Sequence, residues 1–261
     1  MKIIDEIAQK TCLNARFLKS VKMGTHSLPS EVHRLGRLEF IVGEEERKIT
    51  YCHKGDLDRI LKVIKDTKSN ADIIVMSVHS HDIKGDSDDT ADDYLEEFAH
   101  ACIDVGVSIV IGTGTHQLKG IEIYKGKPIF YSLGNFIFKE EHIKYAPDDI
   151  FERYSVGNET SPEELFRIRT KNYKTGLVYD PYNYRSIIPI VDIGKNTTIR
   201  SLELVPIELG FENEESEKGF PVLAREDVSV EIYSRLSKLS KAYGTKMSES
   251  HNHFHSINVA L

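Results

Sequence analysis

The chain has 261 residues, a length that suits one large domain or two small ones. Hydrophobic residues make up 40% and charged residues 29%, with a formal charge of −7. These figures exclude collagen-like, disulfide-scaffold and wholly disordered chains. They also argue against nucleic acid as the main partner, because neutralising phosphates needs clustered Lys and Arg. No apolar run approaches the roughly 20 residues needed to cross a bilayer. The opening MKIIDEIAQKTCLNARFLKS lacks a signal peptide's apolar stretch, so the chain as written is expected to stay in the cytoplasm.

Lys2 to Lys19 reads as one amphipathic helix with Ile4, Ile7 and Ala8 on one side. Gly36–Gly43 reads as a short strand, and the segment after Glu46 as its hairpin partner. Asp56 is placed to cap a helix in which Leu57, Ile60, Leu61 and Ile64 recur at spacings of three and four. Ala71–Ser77 is a continuous apolar run of strand length, the pattern of a strand covered on both faces. His79-Ser80-His81-Asp82 and an acidic loop through Asp89 follow. Asp89 or Thr90 then caps a helix with Leu95, Phe98, Ala99, Cys102 and Val105 as its stripe, stopped at Gly106. Ser108–Gly112 is the next strand. This is a β-α-β unit, so its two strands should be parallel.

Gly120–Tyr124 and Pro128–Ser132 read as a hairpin around Lys125-Gly126-Lys127. Residues 139–186 form a polar excursion with one short helix over Pro162–Arg169. Ser186–Val191 and Ile199–Leu204 are strands joined by a turn at Gly194–Asn196, and Asp227–Tyr243 is a closing helix. The tail carries His251, His253 and His255, which on a strand would share one face and otherwise form a solvated terminus. Cys12, Cys52 and Cys102 are odd in number and far apart, so neither a disulfide framework nor a CxxC zinc site is expected. Cys102, on an apolar helix face, reads as a small core residue.

Ligands of parallel α/β sheets bind beyond the carboxyl ends of the strands. His79 and His81 follow one such end, and Thr113 and His116 the neighbouring one. Imidazole suits Zn, Mn, Fe or Ni, and the carboxylates of Asp82, Asp86, Asp88 and Asp89 stand close in sequence. A metal or catalytic site is one reading. Solvated loop histidines beside a carboxylate cluster at a helix N-terminus is the other. The acidic run lacks EF-hand spacing.

These residues carry a resemblance. Val78-His79-Ser80-His81, Phe98–Gly106, Gly112-Thr113-Gly114-Thr115-His116 and Gly120–Phe136 resemble the CapA family, known from poly-γ-glutamate capsule synthesis. Asp148–Tyr154 and Leu202–Leu209 look similar as well. The resemblance covers most of residues 55–245 and implies an α/β fold: part of a metallophosphoesterase-like layered sandwich with a mixed sheet, its N-terminal half missing. It arranges the chain as a lead-in over 1–54, a core with the histidine loops over 55–138, an excursion or lid over 139–186, and closing strands and helix over 187–261. It implies divalent metal ions (Mn, Fe or Zn) held by His79 and His116, with His81 as proton donor to the leaving group. Asn135 would position a ligand or substrate, or else close a turn. Arg153 and Tyr154, with Arg167 and Arg169, would meet an anionic small molecule or polymer, or else be solvated or ion-paired surface residues.

The chain departs from the family pattern in two places. No segment before residue 55 resembles the family's Gly-Asp and Asn-His elements, and Thr113 stands where the pattern has a histidine ligand. Three readings follow. One is a CapA-like metal-dependent hydrolase, or the C-terminal half of one, completed by another polypeptide or by missing upstream sequence, with a homo-oligomer or a complementing N-terminal half as its partner. The second is a non-catalytic module that binds a polymer or partner and has lost the bimetallic site. The third is a single-metal site of His79, His81, His116 and a nearby Asp. The resemblance also implies that relatives are exported or membrane-anchored. A missing half would leave the inner face of the 73–78 and 108–112 strands exposed.

Overall fold

The computed structural model describes residues 2–44, 46–85, 89–140, 144–250 and 255–261. Two compact units divide the chain, Met1–Lys48 and Ile49–Leu261. In the first, helices α1 (Lys2–Thr11) and α2 (Ala15–Lys22) replace the single helix expected over Lys2–Lys19. The break falls at Cys12, whose φ of 55° is left-handed and cannot continue a right-handed helix. Asn14, just past the break, is drawn to a hairpin: its amide donates to Arg34 O and its Oδ1 accepts from Gly36 N. That hairpin pairs β1 (His33–Leu35) with β2 (Leu38–Phe40), so Gly36 is its turn rather than the start of a strand. The expected partner after Glu46 is not a strand, because the local turn closes the shorter ladder first.

The second unit is layered. Helix α3 (Lys54–Thr67) is capped by His53, whose Nδ1 accepts from Asp56 N, which puts Asp56 in the first turn rather than at the cap. Strand β3 (Val75–His79) leads to α4 (Asp93–Val105). Its cap is Asp92, not Asp89 or Thr90: the carboxylate accepts from Asp93 N at 2.9 Å and from Thr50 Oγ1 at 2.6 Å. Next come β4 (Ile109–Thr113), β5 (Ile121–Tyr124) and β6 (Lys127–Phe130). The sheet order is β3-β4-β6-β5, with β3, β4 and β6 parallel and β5 antiparallel to β6. The β-α-β unit is therefore parallel as the sequence implies, inside a mixed sheet.

Residues 148–184 hold α5 (Asp148–Arg153), α6 (Pro162–Arg169) and two short 3-10 turns. A second sheet joins the long strands β7 (Arg185–Ile193) and β8 (Ile199–Glu208). The short β9 (Val222–Leu223) pairs with one end of β8. After α7 (Glu226–Ser240), β10 (Met247–Glu249) and β11 (Ile257–Val259) complete this sheet, with Ile257 opposite Leu204. The tail thus supplies strands that periodicity did not foresee. His251 and His253 lie outside the described residues, and His255 is exposed just before β11.

Alternation along each strand of the first sheet sends side chains into two cores. Val110, Ile129 and Tyr131 face Leu95, Ala99, Cys102 and Ile103 of α4. Ile109, Ile121 and Phe130 face the other way, onto Leu204 of β8 and Ile232 and Leu236 of α7. Strand β4 is accordingly covered on both faces, which corrects the expected exposure of 108–112. Strand β3 is a sheet edge among the described residues: Met76 and Val78 pack toward the helices, while Val75 stays 51% exposed. The expectation of a strand covered on both faces fails there, because its apolar run is half core and half open face. Among the described residues no helix is long and apolar enough to cross a membrane.

Two outcomes follow. Leu236 is fully buried, so Leu236→Ala should lower stability by about 2–5 kcal/mol in a denaturant titration, through lost transfer energy plus the cavity. Burial pushes the Cys102 thiol up to about 12, and burial together with Glu97 pushes Cys52 up to about 11. Both thiols stay protonated near neutral pH, so exposed Cys12 should be alkylated first at pH 8, half-buried Cys52 more slowly, and buried Cys102 only on unfolding.

Candidate functional site

The carboxyl ends of β3, β4 and β6 point the same way, and the loops leaving them carry His79 to Asp82, Thr113 to His116 and Tyr131 to Asn135. Register sets the first contact. His79 lies opposite Thr113 in the parallel ladder, and its Nδ1 is 3.1 Å from Thr113 Oγ1. The ladder runs one residue further, with Ser80 N donating to Thr113 O at 2.9 Å.

Glycines let the backbones approach this closely. A Cβ on Gly114 would meet Ser80 O at 2.3 Å, and its φ of 119° is one that side chains avoid. A Cβ on Gly112 would meet Tyr131 O at 2.3 Å. His116 follows at a φ of 65°, an uncommon conformation for a residue with a side chain. That bend brings its ring to 5.7 Å from the His81 ring, centroid to centroid. His79 and His81 stand edge to face at 4.9 Å, with their Nε2 atoms 3.1 Å apart. The structure therefore gathers all three histidines singled out in the sequence.

Asn135 belongs to the same cluster. Its Nδ2 donates to Asn183 O at 2.9 Å, and a carbonyl can only accept. The amide orientation is thereby fixed, and Oδ1 faces His116 Nδ1 at 3.0 Å. An amide oxygen cannot donate, so the neutral His116 ring carries its proton on Nδ1 and leaves the Nε2 lone pair bare. This is how proteins orient a histidine ligand, through an acceptor on its far nitrogen. Thr113 serves His79 in a related way, as an oxygen partner at Nδ1 rather than as a metal ligand.

The acidic residues behave differently. The Asp82 carboxylate accepts from Tyr94 OH at 2.9 Å, and Asp89 pairs with Arg235. Asp86 and Asp88 lie outside the described residues. Lys119 is fully buried, and its ammonium donates to Asp82 O at 3.2 Å and Thr90 O at 2.9 Å, holding two points of the loop. Arg153 is exposed at the end of α5 and Tyr154 is half-buried just after it; no hydrogen bond or ring contact joins them to the histidines among the described residues. Arg167 pairs with Glu163 at 3.2 Å, and Arg169 lies 3.9 Å from Glu140. Sequence reasoning missed Ser80, Tyr94, Lys119 and Asn183. The contacts that bring them together span 12 to 48 residues, and no periodicity marks such pairs.

Imidazole nitrogens are a donor set suited to Mn, Fe or Zn. Nitrogens 3.1 Å apart on His79 and His81 can serve as two corners of one coordination sphere. A two-metal centre needs more, and among the described residues no group of three His, Cys, Asp or Glu is gathered closely enough to hold an ion. The donor chemistry fits a divalent ion, but the number of ligands falls short of a bimetallic centre.

A mixed sheet whose parallel strands β3 and β4 carry three histidines at and beyond their carboxyl ends makes this an α/β protein. Residues 17–140 match the family model described as bacterial capsule synthesis protein PGA_cap. Two uncharacterized proteins of Sinorhizobium fredii, y4sH and y4uA, are each 32% identical over 199 residues, 74% of this chain and 42% of theirs. The PGA biosynthesis protein CapA of Bacillus subtilis is 36% identical over 85 residues, 33% of this chain and 22% of its own. The capsule biosynthesis protein CapA of Bacillus anthracis is 36% identical over 84 residues, 32% of this chain and 20% of its own. Over residues 17–140 the chain is thus similar to the CapA family of capsule synthesis proteins, and its helices and mixed sheet make an α/β fold. It spans about two fifths of the length of the Sinorhizobium relatives.

Gly114→Ala should lower stability by about 1–3 kcal/mol in a denaturant titration, because the added Cβ meets Ser80 O in a backbone conformation only glycine adopts easily.

Proposed function

We propose that this chain carries the histidine side of a CapA-type metal-dependent hydrolase, of the metallophosphoesterase kind, that acts on an anionic substrate. A link to capsule or poly-γ-glutamate metabolism is part of the proposal and draws on the printed names of the Bacillus relatives. The observation that supports it best is the Asn183–Asn135–His116 chain, which engages His116 at Nδ1 and leaves its Nε2 for a ligand, with the ring 5.7 Å from that of His81.

His79 and His116 are the ligands in this reading. Asn135 and Thr113 orient them, and His81 holds the proton given to the leaving group. A bound divalent ion would supply Lewis acidity and an activated water. Arg153 and Tyr154 contribute a guanidinium and a phenol for an anionic group. Further ligands would come from a complementing polypeptide or a second copy, added at β3, which is a sheet edge among the described residues.

A second reading, a non-catalytic module for a polymer or partner, is favoured by the shortage of gathered ligands among the described residues. Metal analysis of the purified chain, with a general phosphodiester assay, separates the two. Bound Mn, Fe or Zn above background, reduced at least about tenfold in His79→Ala and His116→Ala, supports the metal site. Metal-dependent turnover extends it to a hydrolase. No metal and no turnover would overturn the enzyme reading for this chain and leave the binding module.

A further inference from the structure

We propose that Tyr94 is a positioning residue for the histidine pair, its phenol closing a one-way ring of three hydrogen bonds around His81 through Ser80 and Asp82. The three contacts are Asp82 N to Ser80 Oγ at 3.2 Å, Ser80 Oγ to Tyr94 OH at 2.5 Å, and Tyr94 OH to Asp82 Oδ2 at 2.9 Å. Their direction follows from what each group can do. A carboxylate only accepts, so the phenol donates to it. The phenol oxygen then accepts the Ser80 hydroxyl proton, and the Ser80 oxygen accepts the Asp82 amide. Each donor has an acceptor and the chain of donation closes on itself. His81 is the one residue between Ser80 and Asp82, so the ring fixes the backbone on both sides of it.

Tyr94 can act as an anchor because it is itself held. Its amide donates to Thr50 Oγ1 at 3.1 Å, next to the Asp92 cap, and its ring packs with the α3–α4 core. Ser80 is buried, so its hydroxyl depends on a protein partner. Burial first, and the Asp82 carboxylate with it, hold the Tyr94 phenol above its ordinary value, and the Ser80 contact opposes them. The phenol therefore keeps the proton that the ring needs. Lys119 is a second tie on the same loop, through the Asp82 and Thr90 carbonyls. With the loop fixed, the His81 ring faces His79 with one Nε2 donating to the other.

The inference rests on the metal reading for its affinity arm alone. The test uses the full chain with two measurements, imidazole 15N spectra without metal and Zn2+ titration by calorimetry. Tyr94→Phe keeps the packed ring and removes the hydroxyl. Asp82→Ala removes the acceptor, whereas Asp82→Asn removes the charge and keeps an oxygen acceptor. Tyr94→Phe and Asp82→Ala should each turn single His79 and His81 tautomers into mixtures and weaken Zn2+ binding about tenfold, while Asp82→Asn retains the wild-type behaviour. Wild-type imidazole spectra in Tyr94→Phe would overturn the proposal, as would Asp82→Asn falling as far as Asp82→Ala. If the wild-type chain takes up no Zn2+, the metal reading fails on its own, and the metal-free spectra still decide for or against the ring.

Discussion

The histidine cluster depends on the parallel pairing of Val75–His79 with Ile109–Thr113. That ladder puts His79 opposite Thr113, and its last bond, from Ser80 N to Thr113 O, sets the two loops side by side. A slip of one residue would turn His79 to the other face of the sheet and replace it with Val78. Register here is in turn held by burial. Met76 and Val78 pack toward the helices while Val75 lies on the open face, and a one-residue slip of β3 would exchange them.

The orienting groups around the cluster come from several elements. Thr113 belongs to β4, Asn135 to the loop beyond β6, the Asn183 carbonyl to a 3-10 turn in the excursion, and Tyr94 to the first turn of α4. The long excursion thus contributes to the site through its backbone, by holding Asn135. The acidic loop contributes through its hydrogen bonds to Tyr94 and Lys119 and leaves the imidazoles as the donors that face one another.

Thr113 and Asn135 are the two residues whose roles changed most. In sequence, Thr113 is a lost ligand and Asn135 a turn residue or a substrate contact. In the structure both meet the Nδ1 of a histidine, and the Asn135 amide oxygen, which can only accept, sets the His116 tautomer. A threonine at that position therefore still serves the site, in a different capacity.

The β-α-β unit, the 120–130 hairpin, the covered faces of α3 and α4 and the three histidines at strand ends were legible in the sequence, because those rest on local periodicity and on the rule that ligands bind beyond the carboxyl ends of parallel strands. The CapA relationship was also legible there, in the continuous run from Gly120 to Phe136. Tertiary structure alone decided that Lys2–Lys19 breaks at Cys12, that Asp92 rather than Asp89 caps α4, that β3 is an edge, and that the tail adds β10 and β11. Each of these turns on a partner distant in sequence: Arg34 for Asn14, Thr50 for Asp92, Leu204 for Ile257. The same holds for the ring through Tyr94, since a hydrogen bond between side chains 12 or 14 residues apart exists only once the chain has brought them together.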